Sequence, residues 1–438
     1  MSDNLERLMI DRRSVLRAGL FTGLGLAAAP TLAACGGSSG GPNGTIKWSA
    51  WANTPGETKR FKEFSQDLSD KLGTKIDFQP LLGDYRAKLL TQLSGGAAPD
   101  AFYVGENEMA KLIETKQVLD LTEYLDSGKA PVTLQDFHQD LFEWFKPADG
   151  GEGLFALPVD TNPSVFWFNK DLLADAGVTS DPAQQFEAGT WTFDALTDLL
   201  TKVRAAGKRG MVVQGGWWYS WFGLVTAFGG TLFDESGKAV FDTDPKAQEA
   251  LAWMFEQLAS GNITDAGTLP EGQGTDPLFF AGQLAATQSG RWILPSVKDL
   301  RFGYDIAPFP SPSGKDIMPV PVATAGLAVN AKTTNKDKTL EFLGNYVSPA
   351  GQKFRLSGGG NAVPSITGLD DIVTEDNLPP HAQWFNDIAA AGYVTPVALA
   401  ANPKVSTEFG PLADKLLKAG NAKSFSRKLA QLLNGNLR

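Results

Sequence analysis

The chain of 438 residues contains one cysteine and only two histidines. A single cysteine excludes a disulfide within the chain, so a body of this length must be stabilised by its hydrophobic core. Two histidines and one thiol also leave few possible members for a zinc site or for a nucleophile activated by histidine. The sequence therefore disfavours the commonest classes of hydrolase, and we expect neither a metal nor another cofactor.

Signals for binding phosphate, calcium or nucleic acid are missing as well. The glycine-rich segment Gly150 to Gly153 has no lysine that would make it a phosphate-binding loop, and Asp242-Thr243-Asp244 lacks the glycine and distal glutamate of a calcium loop. Lysine and arginine number 39 against 49 aspartates and glutamates, which gives a net charge of -10. An acidic chain disfavours nucleic acid as a partner.

The first residues have the pattern of an export leader. Arg12 and Arg13 resemble the twin-arginine export signal, and the apolar run Ala18 to Leu32 is shorter than the roughly 20 residues that cross a bilayer as a helix. Cys35, after Leu32-Ala33-Ala34, resembles the lipidated cysteine of a bacterial lipobox; the alternative is a buried free thiol. We therefore expect a signal peptide over 1–34, a lipidated cysteine with a flexible tether over 35–44, and anchoring at the extracytoplasmic face of the membrane.

Alternating strand and helix patterns predict an α/β body beyond this leader. Thr45 to Trp51 is typical of a strand, and Phe61, Phe64, Leu68 and Leu72 recur at helical spacing before Gly73 ends the helix. Strands over Lys75 to Gln79 and Ala101 to Val104 flank a second predicted helix over Tyr85 to Leu93. This alternation indicates a largely parallel sheet whose two faces are covered by helices.

Several segments in order along the chain then resemble one family. They are Ser94 to Asp100 with the apolar strand after it, Val118 to Thr122, Leu157 to Asp160 with Phe166 to Leu172, Thr190 to Phe193, Gly282 to Trp292, Gly326 to Val329 with the helix Lys338 to Val347, and Gly358 to Pro364. Together they resemble extracellular solute-binding protein family 1, the maltose-binding-protein-like carbohydrate-binding lipoproteins of ABC importers.

The resemblance implies a two-lobed periplasmic-binding-protein-like fold of type II, with a ligand cleft between the lobes. It implies one lobe from 44–157 plus 309–365 and a second from 158–308 plus 366–438. It further implies a monomer that is not an enzyme, which binds a sugar and delivers it to an ABC permease in the membrane. Arg291 and Asn361 depart from the residues commonest in the family, so another solute, such as a glycerophosphodiester or a peptide, stays open as the ligand.

Aromatic residues are the first candidates for ligand contact, because sugars present C–H faces on which rings can stack. Trp217, Trp218 and Trp221 follow the glycine pair Gly215-Gly216. We expect at least one of these tryptophans to line the cleft. The alternative is that Trp218 and Trp221, which are three residues apart, face the core of a helix while Trp217 alone is exposed.

Polar candidates come mainly from the ends of predicted strands, where open α/β sheets bind their ligands. Trp51 and Asn53 follow the first strand, Glu106 and Asn107 follow the strand that ends at Val104, and Asp160 lies on the segment that the resemblance places between lobes. Arg291 and Trp292 follow Ser289-Gly290, and a guanidinium there can bind vicinal hydroxyls or an anion. The resemblance adds Thr324, Gly326 and Asn361.

An exported enzyme is the rival class. Glu106 and Asp160 could in principle form the carboxylate pair of a glycosidase. Nothing in their spacing selects that pair, so we expect a binding protein.

Overall fold

The computed structural model describes residues 44–52, 55–81, 83–270, 273–396 and 402–436. The residues proposed for export and lipidation, Arg12, Arg13 and Cys35, lie outside these ranges, as does Asn53. The strands, helices and cavities of the protein are those of the described residues.

Ten strands form three sheets. The strands are β1 Ile46–Ser49, β2 Ile76–Phe78, β3 Ala101–Val104, β4 Leu157–Pro163, β5 Val165–Asn169, β6 Met211–Val213, β7 Ile263–Asp265, β8 Ala286–Ser289, β9 Tyr304–Ala307 and β10 Val322–Val329. The largest sheet has the order β2-β1-β3-β10-β4, a second has the order β8-β5-β9, and β6 pairs with β7.

Helices cover these sheets. The α-helices are α1 Pro55–Leu72, α2 Tyr85–Ser94, α3 Glu106–Glu114, α4 Thr122–Asp126, α5 Lys170–Asp175, α6 Pro182–Glu187, α7 Phe193–Ala205, α8 Tyr219–Ala227, α9 Pro245–Ser260, α10 Thr275–Phe280, α11 Leu294–Val297, α12 Lys336–Val347, α13 Pro349–Leu356, α14 Asp371–Thr374, α15 Gln383–Ala391, α16 Pro403–Lys418 and α17 Ala422–Asn436. Short 3-10 helices cover Leu134–Asp136, Gln139–Phe145, Ala266–Thr268 and Arg291–Ile293. Among the described helices, none combines the length and apolar character needed to cross a membrane.

The first three strands of the largest sheet form as the residue pattern predicts, but the prediction of a largely parallel sheet is wrong, because β10 pairs antiparallel with both β3 and β4. β1 pairs in parallel with both β2 and β3, and α1 buries Phe61, Phe64 and Leu68 against them. Gly73 follows α1 with a φ of 60°, a left-handed conformation that favours glycine at a helix end. The predicted strands and helices between Thr45 and Val104 are therefore confirmed to within two residues at each end.

One segment carries the chain from the first sheet to the second. β4 pairs antiparallel with β10 along its whole length, and β5 begins two residues after it between β8 and β9. Every residue of both strands is buried. Asp160 and Asn162 thus lie on a rigid strand close to the point where the chain changes sheets, and the α/β fold class is confirmed.

Candidate functional site

A cavity of about 370 Å³ is lined by residues attached to both large sheets. Its lining combines six aromatic side chains, three carboxylic acids and several small polar groups. The lining residues are Trp51, Glu57, Tyr103, Asp160, Asn162, Trp217, Trp218, Tyr219, Asp276, Trp292, Ala323, Thr324, Ala325 and Asn361. Other cavities of comparable size exist in the described chain, but none has such a concentration of aromatic rings.

Trp51, directly after β1, forms one aromatic wall of the cavity. Its ring stacks on Tyr85 with centroids 5.4 Å apart and an interplanar angle of 18°, and it meets the edge of Tyr103 at 5.3 Å. Tyr85 is itself fixed, because its hydroxyl donates to the carbonyl oxygen of Tyr103 over 3.0 Å. The Trp51 indole is therefore held in place without help from a ligand.

Trp217, Tyr219 and Trp292 form a second aromatic wall. Trp217 stacks on Tyr219 at 5.2 Å and 18°, and Trp292 lies 5.1 Å from Tyr219 and 6.2 Å from Trp217 between ring centroids. The Tyr219 hydroxyl donates to the backbone oxygen of Asn162 over 3.2 Å, which links this wall to β4.

The glycine pair before Trp217 positions this wall. A Cβ on Gly215 would lie 2.9 Å from the carbonyl oxygen of Ala413, and one on Gly216 would lie 2.7 Å from Oδ2 of Asp414. The Gly216 amide donates to Oδ1 of Asp414 over 2.6 Å. Only glycine lets the turn approach α16 this closely. The glycine pair therefore fixes the position of the backbone that carries Trp217.

Asp160 forms part of the floor of the cavity, and Arg355 lies behind it. Nη1 of Arg355 lies 3.5 Å from Oδ2 of Asp160, Nη2 donates to the carbonyl oxygen of Val159 over 2.6 Å, and the guanidinium lies 4.3 Å from the centroid of Tyr346. Burial raises the pKa of Asp160 to about 6; the nearby Arg355 opposes this shift, and Glu57 adds to it. Burial therefore disfavours the charged form of Asp160, and Arg355 offsets part of this effect.

Asp276, on α10, is the acid at the second aromatic wall. The indole nitrogen of Trp292 donates to its Oδ2 over 3.3 Å, whereas Oδ1 is buried without a hydrogen-bond partner in the described chain. Burial raises the pKa of Asp276 to about 6, although the indole of Trp292 and the neighbouring hydroxyls of Ser289 and Thr275 favour the charged form. One carboxylate oxygen therefore has its hydrogen-bonding capacity unused within the described chain.

Three smaller polar groups complete the lining. The Thr324 hydroxyl donates to the carbonyl oxygen of Asp160 over 2.7 Å, and the Asn361 amide donates to Oε1 of Glu57 over 3.2 Å. Asn162 is 8% exposed, and its Oδ1 has no hydrogen-bond partner among the described residues. A buried polar atom without a partner costs free energy unless a water or a ligand satisfies it.

The structure brings most of the sequence-predicted residues to this one cavity. Those that line it are Trp51, Asp160, Trp217, Trp218, Trp292, Thr324 and Asn361. Glu106 and Asn107 begin α3, and their side chains lie outside the described part of the structure. Trp218 is only 9% exposed and packs at 6.5 Å against Trp144, so it contributes one edge to the cavity and the rest to the core.

Trp221 corrects the sequence-based expectation. It is fully buried, its indole nitrogen donates to the Gly215 carbonyl over 3.0 Å, and its ring packs against Phe222, Phe241 and Phe425. Because almost every residue of α8 is buried, the spacing of its tryptophans could not distinguish a cleft face from a core face. Trp221 belongs to the core.

Arg291 is also removed from the candidate ligand contacts. It is 1% exposed and does not line the cavity. Its Nη1 donates to the carbonyl oxygen of Ala362 over 2.6 Å and reaches that of Leu356 at 3.5 Å. Burial lowers its pKa to about 9, with Arg60 adding to the shift. This guanidinium binds the chain's own backbone.

Gly326 does not line the cavity either, although its neighbours Ala325 and Thr324 do. A Cβ at this position would lie 2.5 Å from Cε1 of Phe145 and 2.9 Å from Cβ of Ala156. The glycine also follows a bulge in the pairing of β10 with β4. Its role is to let Phe145 pack against the sheet.

Several lining residues were not predicted from the sequence: Glu57, Tyr103, Asn162, Tyr219, Asp276, Ala323 and Ala325. Tyr103 lies within an apolar strand and Tyr219 within an apolar helix, where the pattern predicts only core. The argument that selected Asp160 could also have selected Asn162, because residues two apart on β4 point to the same side of the sheet. Glu57 and Asp276 stand in the first turns of helices, where an acid is expected for the helix dipole alone.

Comparisons with known proteins agree with this architecture. The sequence profile described as bacterial extracellular solute-binding protein matches residues 51–353. No curated protein sequence matches the chain closely enough to count as a relative.

Solved structures with the same fold come from several bacteria. An ABC substrate-binding protein of Listeria monocytogenes in complex with cycloalternan has a TM-score of 0.74 at 20% identity, over 89% of this chain and 98% of that one. The GacH receptor of Streptomyces glaucescens, solved unliganded and with acarbose, scores 0.73 at 17% over 90% and 99%. UgpB from Mycobacterium tuberculosis with glycerophosphocholine scores 0.72 at 17% over 90% and 98%. These likenesses confirm the predicted two-lobed binding-protein fold.

Proposed function

Because the chain belongs to the bacterial extracellular solute-binding protein family, we propose that it is the extracytoplasmic substrate-binding lipoprotein of an ABC importer and that it binds a sugar. The observation that carries this proposal is the composition of one cavity. It is lined by Trp51, by the Trp217–Tyr219–Trp292 wall and by three carboxylic acids. Rings of this kind stack on the C–H faces of a sugar, while carboxylate and amide groups bind its hydroxyls. The sugars and sugar-like ligands of several structural neighbours support the same solute class.

Ligand capture would proceed by closure of two lobes. We propose a first lobe of residues 44–157 plus 309–365 and a second of 158–308 plus 366–438. Packing of the C-terminal helices supports the second grouping, since Phe425 contacts Trp221 at 5.0 Å and the Asn434 side chain bonds to the backbone of Ala239. Ligand shifts the equilibrium toward the closed form only by its higher affinity for that form, and the permease would recognise that form.

Membrane attachment would come from Cys35, after export through the twin-arginine signal at Arg12 and Arg13. Cys35→Ser should release the protein from the membrane fraction and abolish incorporation of labelled palmitate. Retention of Cys35→Ser in the membrane would exclude this anchor.

A glycerophosphodiester is the second candidate ligand. A smaller cavity of about 200 Å³ adjoins the site through Glu57 and Asn361 and includes Arg60 and Lys298, which can bind a phosphate. However, Arg60 already donates to the carbonyl oxygens of Arg355 and Ser357 over 2.6 and 2.9 Å. The aromatic cavity therefore favours the sugar.

A thermal-shift screen of the chain from Gly36 onward tests the function. The screen would include mono- and oligosaccharides, amino sugars, polyols, glycerophosphodiesters, peptides and amino acids, because a ligand that binds only the folded state raises the melting temperature. We expect stabilisation by a sugar that is recovered unchanged after incubation. Stabilisation by phosphodiesters alone would change the proposed substrate class from a sugar to a phosphodiester. Chemical conversion of the stabilising compound would show that the protein is an enzyme.

A further inference from the structure

Two hydrogen-bond acceptors in the lining of the cavity are buried without a partner, whereas several donors of the lining are engaged within the protein. Three donors are already used within the protein: the Tyr219 hydroxyl bonds to the backbone oxygen of Asn162, the Trp292 indole to the carboxylate of Asp276, and the Thr324 hydroxyl to the backbone oxygen of Asp160. By contrast, Oδ1 of Asp276 and Oδ1 of Asn162 are buried acceptors without partners in the described chain. A ligand atom that satisfies either of these two acceptors must therefore be a hydrogen-bond donor.

The charged side chains that line the cavity are all acidic, so they too are acceptors. Glu57, Asp160 and Asp276 line the cavity, and no lysine, arginine or histidine among the described residues does. Arg355 lies behind the lining and is engaged by Asp160 and by the ring of Tyr346. No basic side chain forms an ion pair with Asp276 in the described structure, and the groups that favour its charged form, the Trp292 indole and the hydroxyls of Ser289 and Thr275, are all neutral. A neutral sugar would leave this charge without an ion-pair partner.

The unpaired acceptors lie in the corner that has the most aromatic surface. Asp276 bonds to Trp292, Trp292 packs on Tyr219 and Trp217, and Tyr219 bonds to Asn162, so these groups are contiguous. The faces of tryptophan and tyrosine rings attract cations, and an ammonium group carries three donors and no acceptor. Acceptors, a carboxylate and ring faces in one corner are the surroundings that a cationic amine requires.

We propose that the ligand carries a protonated amine, as in an amino sugar, and that the amine binds in the corner formed by Asp276, Asn162, Tyr219 and Trp292. This inference rests on the proposed function, because the remainder of the ligand is taken to be a polyhydroxylated solute. It narrows the proposed substrate class from sugars in general to those that carry a positive charge.

Matched pairs that differ in an amine test the inference by isothermal titration calorimetry at pH 7: D-glucosamine with D-glucose, D-galactosamine with D-galactose, and N-methyl-D-glucamine with sorbitol. We expect the amine in at least one pair to bind about tenfold or more tightly than its neutral partner, as an additional ion pair and ring contact allow. Equal or tighter binding of the neutral partners would overturn the inference and leave the sugar-binding function intact. Absence of binding by every pair, with a phosphodiester or peptide binding instead, would overturn both.

Asp276→Asn provides the matched variant. It keeps the shape and the bond to Trp292 but removes the charge, so it should abolish most of the preference for the amine over its neutral partner. Asp198→Asn, on the exposed face of α7, changes the net charge equally and should keep the preference. Persistence of the full preference in Asp276→Asn, with its melting temperature intact, would contradict the proposed position of the amine.

Discussion

The guanidinium of Arg355 lies 3.5 Å from the carboxylate of Asp160, and both side chains are more than nine-tenths buried. Asp160 lines the candidate site, whereas Arg355 stands behind it on α13 and holds the backbone of Val159 as well. The pair joins β4 to α13 under the floor of the cavity. The shape of that floor therefore depends in part on a charged side chain that does not line the cavity.

Removing Arg355 should destabilise the protein more than removing the charge of Asp160. Arg355→Met leaves Asp160 buried without its cation, and we expect a loss of about 3–5 kcal/mol in the free energy of unfolding. Asp160→Asn leaves Arg355 its bond to Val159 and the Tyr346 ring, so its cost should be smaller. Urea unfolding measures both variants. Equal stability of Arg355→Met and the parent protein would refute the role assigned to the pair.

Asp276 should lower the stability of the unliganded protein at neutral pH. Its pKa is raised from 3.8 to about 6, so between these values the folded state binds more protons than the unfolded state. Stability contributed by this group therefore falls as pH rises from about 4 to about 6, and the deficit is complete at pH 7.

Asp276→Asn removes this deficit. We expect the variant to be about 1–3 kcal/mol more stable than the parent at pH 7, and the difference to vanish near pH 4. Other titrating groups, including Asp160, are common to both proteins, so the comparison isolates Asp276. Urea unfolding at the two pH values provides the measurement. A difference that does not change with pH would show that the carboxyl ionises normally.

Gly326 should tolerate no side chain while Phe145 is present. Gly326→Ala brings a Cβ within 2.5 Å of the Phe145 ring, and we expect a loss of about 1–3 kcal/mol from overpacking. Gly435→Ala, where nothing lies within 4 Å of the added Cβ, is the control and should change stability little or raise it slightly. Combining Gly326→Ala with Phe145→Leu should recover part of the loss in thermal unfolding. Strict additivity of the two changes would contradict the clash.

Arg291 should hold the proposed lobes together. It belongs to the proposed second lobe and donates to the carbonyl oxygen of Ala362 in the first. Arg291→Leu should therefore increase the radius of gyration of the unliganded protein in small-angle X-ray scattering. Arg60→Leu removes bonds to the same loop from within the first lobe, so it should lower stability without opening the protein. An unchanged radius in folded Arg291→Leu would argue against such a latch.

Sequence patterns predicted the fold better than the site. The strands and helices near the start of the body follow from local periodicity, as β3 and α2 illustrate, because each buries one continuous apolar set. Trp217 was identified because three tryptophans after a glycine pair exceed what one helix face needs. Trp51 and Asp160 were identified by position, at a strand end and at the crossing segment.

The other site residues could not be predicted correctly, because their roles depend on contacts between distant parts of the chain. Arg291 is a plausible ligand contact in sequence, and only the folded loop over 356–362 shows that backbone carbonyls occupy it. Asp276 gives no local signal, because its importance comes from Trp292, which lies 16 residues later. Site residues are brought together by two sheets, and local periodicity does not encode which residues meet there.

The most direct test of the central claim is calorimetric titration of Trp217→Ala with the solute that stabilises the parent protein most. Trp217 is partly exposed and stacks on Tyr219 in the cavity wall, so its loss should weaken binding by at least about tenfold with the fold intact. Trp384→Ala is the matched control, since Trp384 is also partly exposed but stacks on His381 away from the cavity. A tenfold loss in Trp217→Ala with parental affinity in Trp384→Ala is the predicted result. Parental affinity in folded Trp217→Ala would contradict the assignment of this cavity as the solute-binding site.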